Sequence, residues 1–255
     1  MNFLVFTDID GTLLNHEDYK FGSLKKYLKK IKNKVPIIFN TSKTFEEIIT
    51  INRKLELNFP FIVENGACIF FPSGYLNTNE INKSFFNYKN YIGYQLTNYN
   101  ADTLINKFDK LKNKYNFCFF SELSFKKILE ITNLNISAAK NSRKRLFTNP
   151  VFWQDAKFRV SEFKSEIRKF DSKLNVLEGG RFIHISDNYN KAVALKKFLK
   201  IIKKKLKGKF VTISLGDSEN DVCMLESTDY SCIVKREKKI LSLKKQDNIY
   251  FSKAK

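Results

Sequence analysis

Apolar residues in this chain come in short blocks. Phe3-Leu4-Val5-Phe6, Val35-Pro36-Ile37-Ile38-Phe39, Phe61-Ile62-Val63 and Phe210-Val211-Thr212-Ile213-Ser214-Leu215 are too short for helices and predict buried strands. Between the first two, residues 22–32 place Leu24, Tyr27, Leu28 and Ile31 at helical spacing. A second helix follows the second strand. Thr44 and Glu47 form the T-x-x-E pattern that opens a helix, and Ile48, Ile49 and Leu55 give it an apolar face. Ala67–Phe71 and the turn Pro72-Ser73-Gly74 predict a small hairpin. Strands alternating with helices predict an α/β fold, a doubly wound parallel sheet of Rossmann-like type.

The rhythm changes after about residue 80. Residues 81–100 are rich in Asn and Tyr, without clean periodicity. Residues 102–115 and 161–174 predict helices, and short extended pieces occur at Asn116–Phe120, Val151–Trp153, Phe158–Val160, Val176-Leu177 and Phe182–Ile185. This mixture predicts an inserted α+β unit over 81–186, between two halves of a core formed by 1–80 and 187–255. The βα rhythm resumes near residue 188.

Composition narrows the class. A chain of 255 residues has ample material for a core, and it contains no apolar run near the ~20 residues of a membrane span. A functional-looking Asp8 so near the start predicts a chain without a signal peptide. Cys68, Cys118, Cys223 and Cys232 lack paired spacing and predict buried free thiols in a reducing, cytoplasmic setting. His16 and His184 are the only histidines, which leaves little for a His-based metal site. The net charge of +20 is compatible with nucleic acid, but the excess is spread along the chain and is mostly Lys. Lys, Asn, Ile and Phe share AT-rich codons, which suffices to explain it. Lys203-Lys204-Lys205 and Lys207 read as the solvated face of a helix whose apolar side is Leu195, Phe198, Leu199 and Ile202. A basic nucleic-acid-binding protein with a vestigial site is the reading from a different class, and the intact acidic set below speaks against it. Neither nucleic acid nor membrane is the expected partner.

That acidic set sits at two strand ends. Asp8-Ile9-Asp10-Gly11-Thr12 follows the first strand, and Gly216-Asp217-Ser218-Glu219-Asn220-Asp221 follows the last long one. Asp8 and Asp10, two residues apart, point the same way from a strand end. Carboxylates held together are costly unless a cation sits between them. In an open parallel sheet such ends converge on one ligand crevice. Thr41-Ser42-Lys43 ends the second strand, and Lys191 opens the helix after the inserted unit. Each member answers a need of phosphoryl transfer: Asp8 as nucleophile, Asp10 as acid and base, Thr41 and Lys191 on phosphoryl oxygens, and Asp8, Asp10, Asp217 and Asp221 for Mg²⁺. Thr41 and Ser42 can equally cap a helix, Lys191 can be a solvated lysine, and Asp221 can be a first-turn charge.

Together DxDGT and GDSxND resemble the first and last motifs of the haloacid dehalogenase superfamily, mostly Mg²⁺-dependent phosphotransferases, and NTSK and NKAVAL resemble its second and third. The place of the inserted unit resembles the C2 cap of the Cof-like type IIB branch. FTDIDGTLLNHEDY, NTSKT, PFIVENGACIFFPSGY and GGRFIHI are similar to the mannosyl-3-phosphoglycerate phosphatase family. That resemblance implies a small anionic sugar-phosphate substrate, mannosyl ahead of glucosyl, with a general hexose- or sucrose-phosphate enzyme as the alternative. It implies substrate contacts from Ser42, Lys43, Glu64, Asn65, Arg145, Gly179, Gly180 and Arg181. The chain departs from the family at Asn149, where a glutamate is expected.

Overall fold

The computed structural model describes residues 2–15, 21–178, 181–206, 208–235, 241–244 and 247–253. In chain order the elements are β1 (Asn2–Thr7), α1 (Leu24–Ile31), β2 (Ile37–Asn40), α2 (Phe45–Leu55), β3 (Phe61–Val63), β4 (Cys68–Pro72), β5 (Phe85–Tyr88) and β6 (Tyr91–Gln95). Then come α3 (Ala101–Phe108), β7 (Phe117–Phe119), α4 (Phe125–Thr132), α5 (Ile136–Ser142), β8 (Val151–Trp153), α6 (Val160–Phe170), β9 (Asn175–Glu178) and β10 (Ile183–Ser186). The chain closes with α7 (Lys191–Ile202), β11 (Phe210–Gly216), α8 (Val222–Leu225), β12 (Tyr230–Ile233) and β13 (Ile249–Phe251).

The chain divides into two compact units, one of 1–43, 48–96 and 189–255, the other of 44–47 and 97–188. Among the described residues the first unit holds a nine-stranded sheet in the order β13-β12-β11-β1-β2-β3-β4-β6-β5. The six strands from β13 to β3 pair in parallel, and β4, β6 and β5 extend the sheet antiparallel. The parallel part is the doubly wound core that the alternation predicted. The antiparallel part shifts a boundary: residues 81–96, expected in the inserted unit, form a hairpin paired to β4. Their alternation is masked because Phe and Tyr occupy both faces. The expected hairpin at the Pro72-Ser73-Gly74 turn is instead two antiparallel neighbours of β4, with β3 joined through Glu64–Gly66 and β6 reached through the longer β5 excursion.

Period-two alternation decides what each strand buries. Leu4, Phe6, Ile38, Ile62, Ile69 and Phe71 pack with Ala194, Leu195, Phe198 and Ile202 of α7 in one cluster. Phe198 is the hub: its ring meets Phe6 edge-on at 5.5 Å and stacks on Phe71 at 5.7 Å. The alternate residues Ile37, Phe39, Phe61 and Phe70 are buried too, so the sheet is covered on both faces. α7 ends at Ile202, so Lys203-Lys204-Lys205 form the turn beyond it and not a helical face. Lys205 lies over the Tyr75 ring at 3.9 Å, while Lys207 lies outside the described residues.

The second unit is built on a four-stranded antiparallel sheet, β7-β8-β10-β9. Phe117, Phe119, Val151, Ile183, Ile185 and Val176 face Leu104 and Phe108 of α3 and Phe163 and Ile167 of α6. The other side carries Cys118 and Phe152, which pack with Phe120, Leu123, Ile128 and Ala139 around α4 and α5. Thr44 and Glu47 make the expected reciprocal cap, with the Thr44 N–H donating to Glu47 Oε2 at 3.0 Å and the Glu47 N–H to Thr44 Oγ1 at 3.3 Å. All four thiols are unpaired, but only Cys68 is fully buried, which corrects the expectation for Cys118, Cys223 and Cys232.

Phe198 lends itself to a stability test. Truncating a fully buried aromatic removes its transfer energy and leaves a cavity, so Phe198→Ala is expected to cost about 3–5 kcal/mol in denaturant unfolding. A loss below about 1 kcal/mol would show that the cluster around α7 does not hold this half of the fold.

Candidate active site

Asp8 stands just past the end of β1, tied to its neighbour strand by its own N–H donating to the Leu215 carbonyl at 3.0 Å. Beyond it the chain folds around one acceptor. The N–H groups of Thr12, Leu13 and Leu14 all point to the Ile9 carbonyl, and Gly11 takes φ +80° to allow this. The turn sets the Thr12 hydroxyl to donate to Asp217 Oδ1 at 3.1 Å. It also swings Asp10 toward Lys43, whose Nζ lies 2.9 Å from Asp10 Oδ2. The other oxygen, Asp10 Oδ1, has no hydrogen-bond partner among the described residues.

β11 delivers the second acidic pair. Past Gly216 the chain curls so that Asp221 Oδ2 accepts from the N–H groups of Asp217 (3.1 Å) and Ser218 (3.0 Å) and from the Ser218 hydroxyl (2.8 Å). Only glycine fits at 216, since a Cβ there would stand 2.5 Å from Asp221 Cβ. The free edge of Asp221, Oδ1, accepts from Lys191 Nζ at 2.6 Å. Lys191 also donates to Asp8 Oδ1 at 2.7 Å, which joins the two strand ends through one ammonium.

Three residues hold Lys191 in place; all three lie inside the motif strings NTSK, NKAVAL and PFIVENGACIFFPSGY, but the motifs gave none of them a role. The Asn190 side chain caps α7 by accepting from the N–H groups of Ala192 and Val193, both at 2.9 Å. Asn40, fully buried at the end of β2, donates Nδ2 to the Lys191 carbonyl at 2.9 Å. Gly66 lets the Glu64–Gly66 turn press against Asn190: a Cβ at 66 would meet the Asn190 carbonyl oxygen at 2.4 Å. Asn before an apolar helical run is a capping signal that can be read in advance. The roles of Asn40 and Gly66 depend on contacts across 151 and 124 positions, which no local pattern reveals.

Carboxylate oxygens of Asp8, Asp217 and Asp221 lie within 4.8 Å of one another, all buried. Three carboxylates thus face one ammonium. Burial pushes the Asp8 carboxyl up to about 7; Lys191 opposes this, while Asp221 and Asp10 add to it. Burial works against the Lys191 charge, but Asp221 and Asp8 outweigh it and hold the ammonium above its ordinary pKa. Asp10, expected among metal ligands, is not part of the three-carboxylate cluster; its side chain pairs with Lys43.

The remaining expected residues fall in two groups. Thr41, Lys43, Glu64 and Asn65 are joined by backbone bonds: the Glu64 N–H donates to the Lys43 carbonyl at 3.0 Å, and that of Asn65 to the Thr41 carbonyl at 2.9 Å. The Thr41 N–H is taken by the Ile62 carbonyl, and its hydroxyl accepts from the Lys43 N–H at 3.3 Å. Glu64 is fully buried, Ser42 is half-buried beside Lys43, and Asn65 Oδ1 accepts from Asn220 at 3.1 Å. In the second unit Arg145 grips Thr148, its Nε 3.0 Å from the Thr148 hydroxyl. Arg181 is exposed and donates to the Thr132 carbonyl at 3.0 Å. Asn149 has both ends engaged by Ser121, accepting from its N–H at 3.2 Å and donating to its hydroxyl at 2.9 Å. This amide braces the β7–α4 turn. Gly179 and Gly180 lie outside the described residues.

Residues 5–247 match the haloacid dehalogenase-like hydrolase family. A glucosyl-3-phosphoglycerate/mannosyl-3-phosphoglycerate phosphatase of Persephonella marina is 32% identical over 245 residues, covering 91% of this chain and 84% of its own. A protein of the same name from Methanococcoides burtonii is 30% identical over 243 residues, covering 92% and 86%. A solved structure from Thermotoga maritima superposes with a TM-score of 0.63 at 17% identity, covering 92% of this chain and 86% of that one, which shows the fold.

Two outcomes follow from this geometry. Gly66→Ala forces a side chain into the Asn190 carbonyl at φ +103° and is expected to cost at least about 2 kcal/mol in unfolding, and to displace Lys191. An unchanged melting temperature would remove Gly66 from the support of Lys191. The second concerns pH. Asp8 titrates higher folded, about 7, than its ordinary 3.8, so the folded state holds the extra proton between those values. Stability without metal is therefore expected to fall as pH rises from about 4 to about 7, with a steeper slope than in Asp8→Asn. Equal slopes in the two proteins would contradict the raised Asp8 pKa.

Proposed function

The chain belongs to the haloacid dehalogenase-like hydrolases, and from that premise we propose that it hydrolyses a phosphomonoester through an aspartyl-phosphate on Asp8. The observation that carries this is the buried set at the strand ends: Asp8, Asp217 and Asp221 within 4.8 Å, crossed by Lys191. Three buried carboxylates against one ammonium fit a hard divalent cation such as Mg²⁺, held by Asp8, Asp217 and Asp221. That ion would supply charge neutralisation between the nucleophilic carboxylate and an anionic phosphoryl group.

The chain's own residues account for the rest. An oxygen of Asp8 attacks phosphorus and the ester P–O bond breaks. Asp10, with one oxygen uncommitted, gives a proton to the leaving alkoxide and later takes one from the attacking water. Lys191 fixes the Asp8 carboxylate and places a positive charge beside the phosphoryl oxygens. The Thr41 hydroxyl, which accepts from Lys43, retains its proton to donate to one of those oxygens.

For the substrate we infer a glycosyl-3-phosphoglycerate, mannosyl or glucosyl, with a glycosylglycerate as product in a cytoplasmic setting. Two relatives bearing that name over most of the chain support it. Arg145 and Arg181, in the second unit, are the proposed partners of the glycerate carboxylate, and that unit is the proposed specificity domain.

Asp8→Asn is expected to lower kcat by about a thousandfold or more, and EDTA to abolish turnover reversibly. In a panel of mannosyl-3-phosphoglycerate, its glucosyl analogue and glucose 6-phosphate, the first two should be preferred. Arg145→Ala and Arg181→Ala should each lose about tenfold or more in kcat/KM on the carboxylated substrates alone. Near wild-type turnover by Asp8→Asn overturns the nucleophile. Preferred hydrolysis of glucose 6-phosphate overturns the substrate while leaving the chemistry standing.

A further inference from the structure

The second unit handles its positive charge in two ways. Along much of it cations are matched: Lys107 with Asp171, Lys112 with Asp109 and Glu122, Lys114 with Glu162, Arg159 with Asp155, and Lys164 with Glu178. The stretch 131–154 differs. It has no Asp or Glu, yet it carries Lys140, Arg143 and Lys144 beside Arg145, which is itself engaged with Thr148. The flanking acids are already engaged, Glu130 by Lys127 and Glu122 by Lys112. Lys140 and Lys144 are exposed, and neither has a carboxylate partner among the described residues. Arg143 donates to the Ser121 carbonyl at 2.9 Å and likewise meets no carboxylate among them.

These three cations line one open cavity of about 560 Å³ together with Phe125, Ser137 and Asn141. Phe125 is half-buried and rooted in the apolar cluster around α4 and α5, so the cavity has a firm wall. Gathering like charges is unfavourable without a counter-charge. The carbonyl end of α5 offsets Lys140, which lies in its last turn, but Arg143 and Lys144 come after the helix.

We propose that this cavity is a second anion site, made only of residues from the second unit, which takes a small phosphate-bearing polyanion. Two ammonium groups and a guanidinium match the charge and oxygen geometry of a di- or trianionic phosphate. Ser137 and Asn141 add neutral polar groups, and Phe125 adds an apolar surface. The volume falls in the ~300–1,000 Å³ range of small-molecule sites. Such an anion has two sources, the enzyme's own phosphorylated substrate or free inorganic phosphates.

The direct test titrates inorganic pyrophosphate calorimetrically into the full chain carrying Asp8→Asn, in EDTA, with amide shifts followed by NMR. Binding is expected, with shifts at Ser137, Asn141 and Lys144, and at least tenfold weaker binding when Lys140→Gln and Lys144→Gln are added. Lys140→Arg with Lys144→Arg should restore it, which separates charge from any loss of folding. Equal affinity in the Gln variant, or no shifts at those amides, overturns the site. The source is separated by kinetics with Asp8 intact at low salt. A higher KM at unchanged kcat in the Gln variant assigns the site to the substrate. An unchanged KM, with a wild-type response to added pyrophosphate that the variant lacks, assigns it to free phosphates. Silence in both kinetic arms overturns the proposal.

Discussion

The Lys191 ammonium between Asp8 and Asp221 is the interaction on which the rest of the structure turns. It is 1% exposed, so its charge persists only because both carboxylates lie at hydrogen-bond distance. Removing one partner of such a set typically costs about 3–5 kcal/mol, because the charge left behind has no solvent. The surrounding fold answers that constraint at several points. Gly216 makes room for Asp221, Gly66 makes room for Asn190, and Asn40 pins the Lys191 carbonyl. The acidic excess that remains is the property the proposed chemistry needs.

Parallel pairing is what lets those residues meet. β11 and β2 flank β1 in register, Thr7 lying opposite Leu215 on one side and Phe39 on the other. Strand ends separated by some two hundred positions thereby open onto one edge, and the loops beyond them carry Asp8, Thr41 and Asp217. The α7–β1 cluster centred on Phe198 holds the opposite requirement, a dry apolar layer under the helix that brings Lys191. Packing and chemistry are thus coupled through α7: its inward face is core, and its first residue is in the site.

The second unit solves a different problem. Its antiparallel sheet buries one face against α3 and α6 and part of the other against α4 and α5. Polar positions are spent on bracing, as Asn149 shows by giving both ends of its amide to Ser121. A residue that departs from a family pattern need not mark a change in chemistry; here its bonds are internal to the unit. His184, on the β10 face away from the α3–α6 core, is held neutral by burial and by Arg145, with its pKa lowered to about 4.

Local pattern alone settled a good deal. Strand blocks and helical spacing were enough for the alternating core, because period two and period 3.6 are written in adjacent residues. DxDGT and GDSxND marked the acidic strand ends, since chemistry of that kind concentrates carboxylates in short strings. Tertiary structure decided what depends on distance. It moved residues 81–96 into the core sheet, because their aromatic faces acquire meaning only beside β4. It turned Asp10 to Lys43 and left three carboxylates together, a choice made by the fold of one turn around the Ile9 carbonyl. The roles of Asn40 and Gly66, both inside motif strings, became legible only there as well, since each acts through a backbone carbonyl more than a hundred residues away.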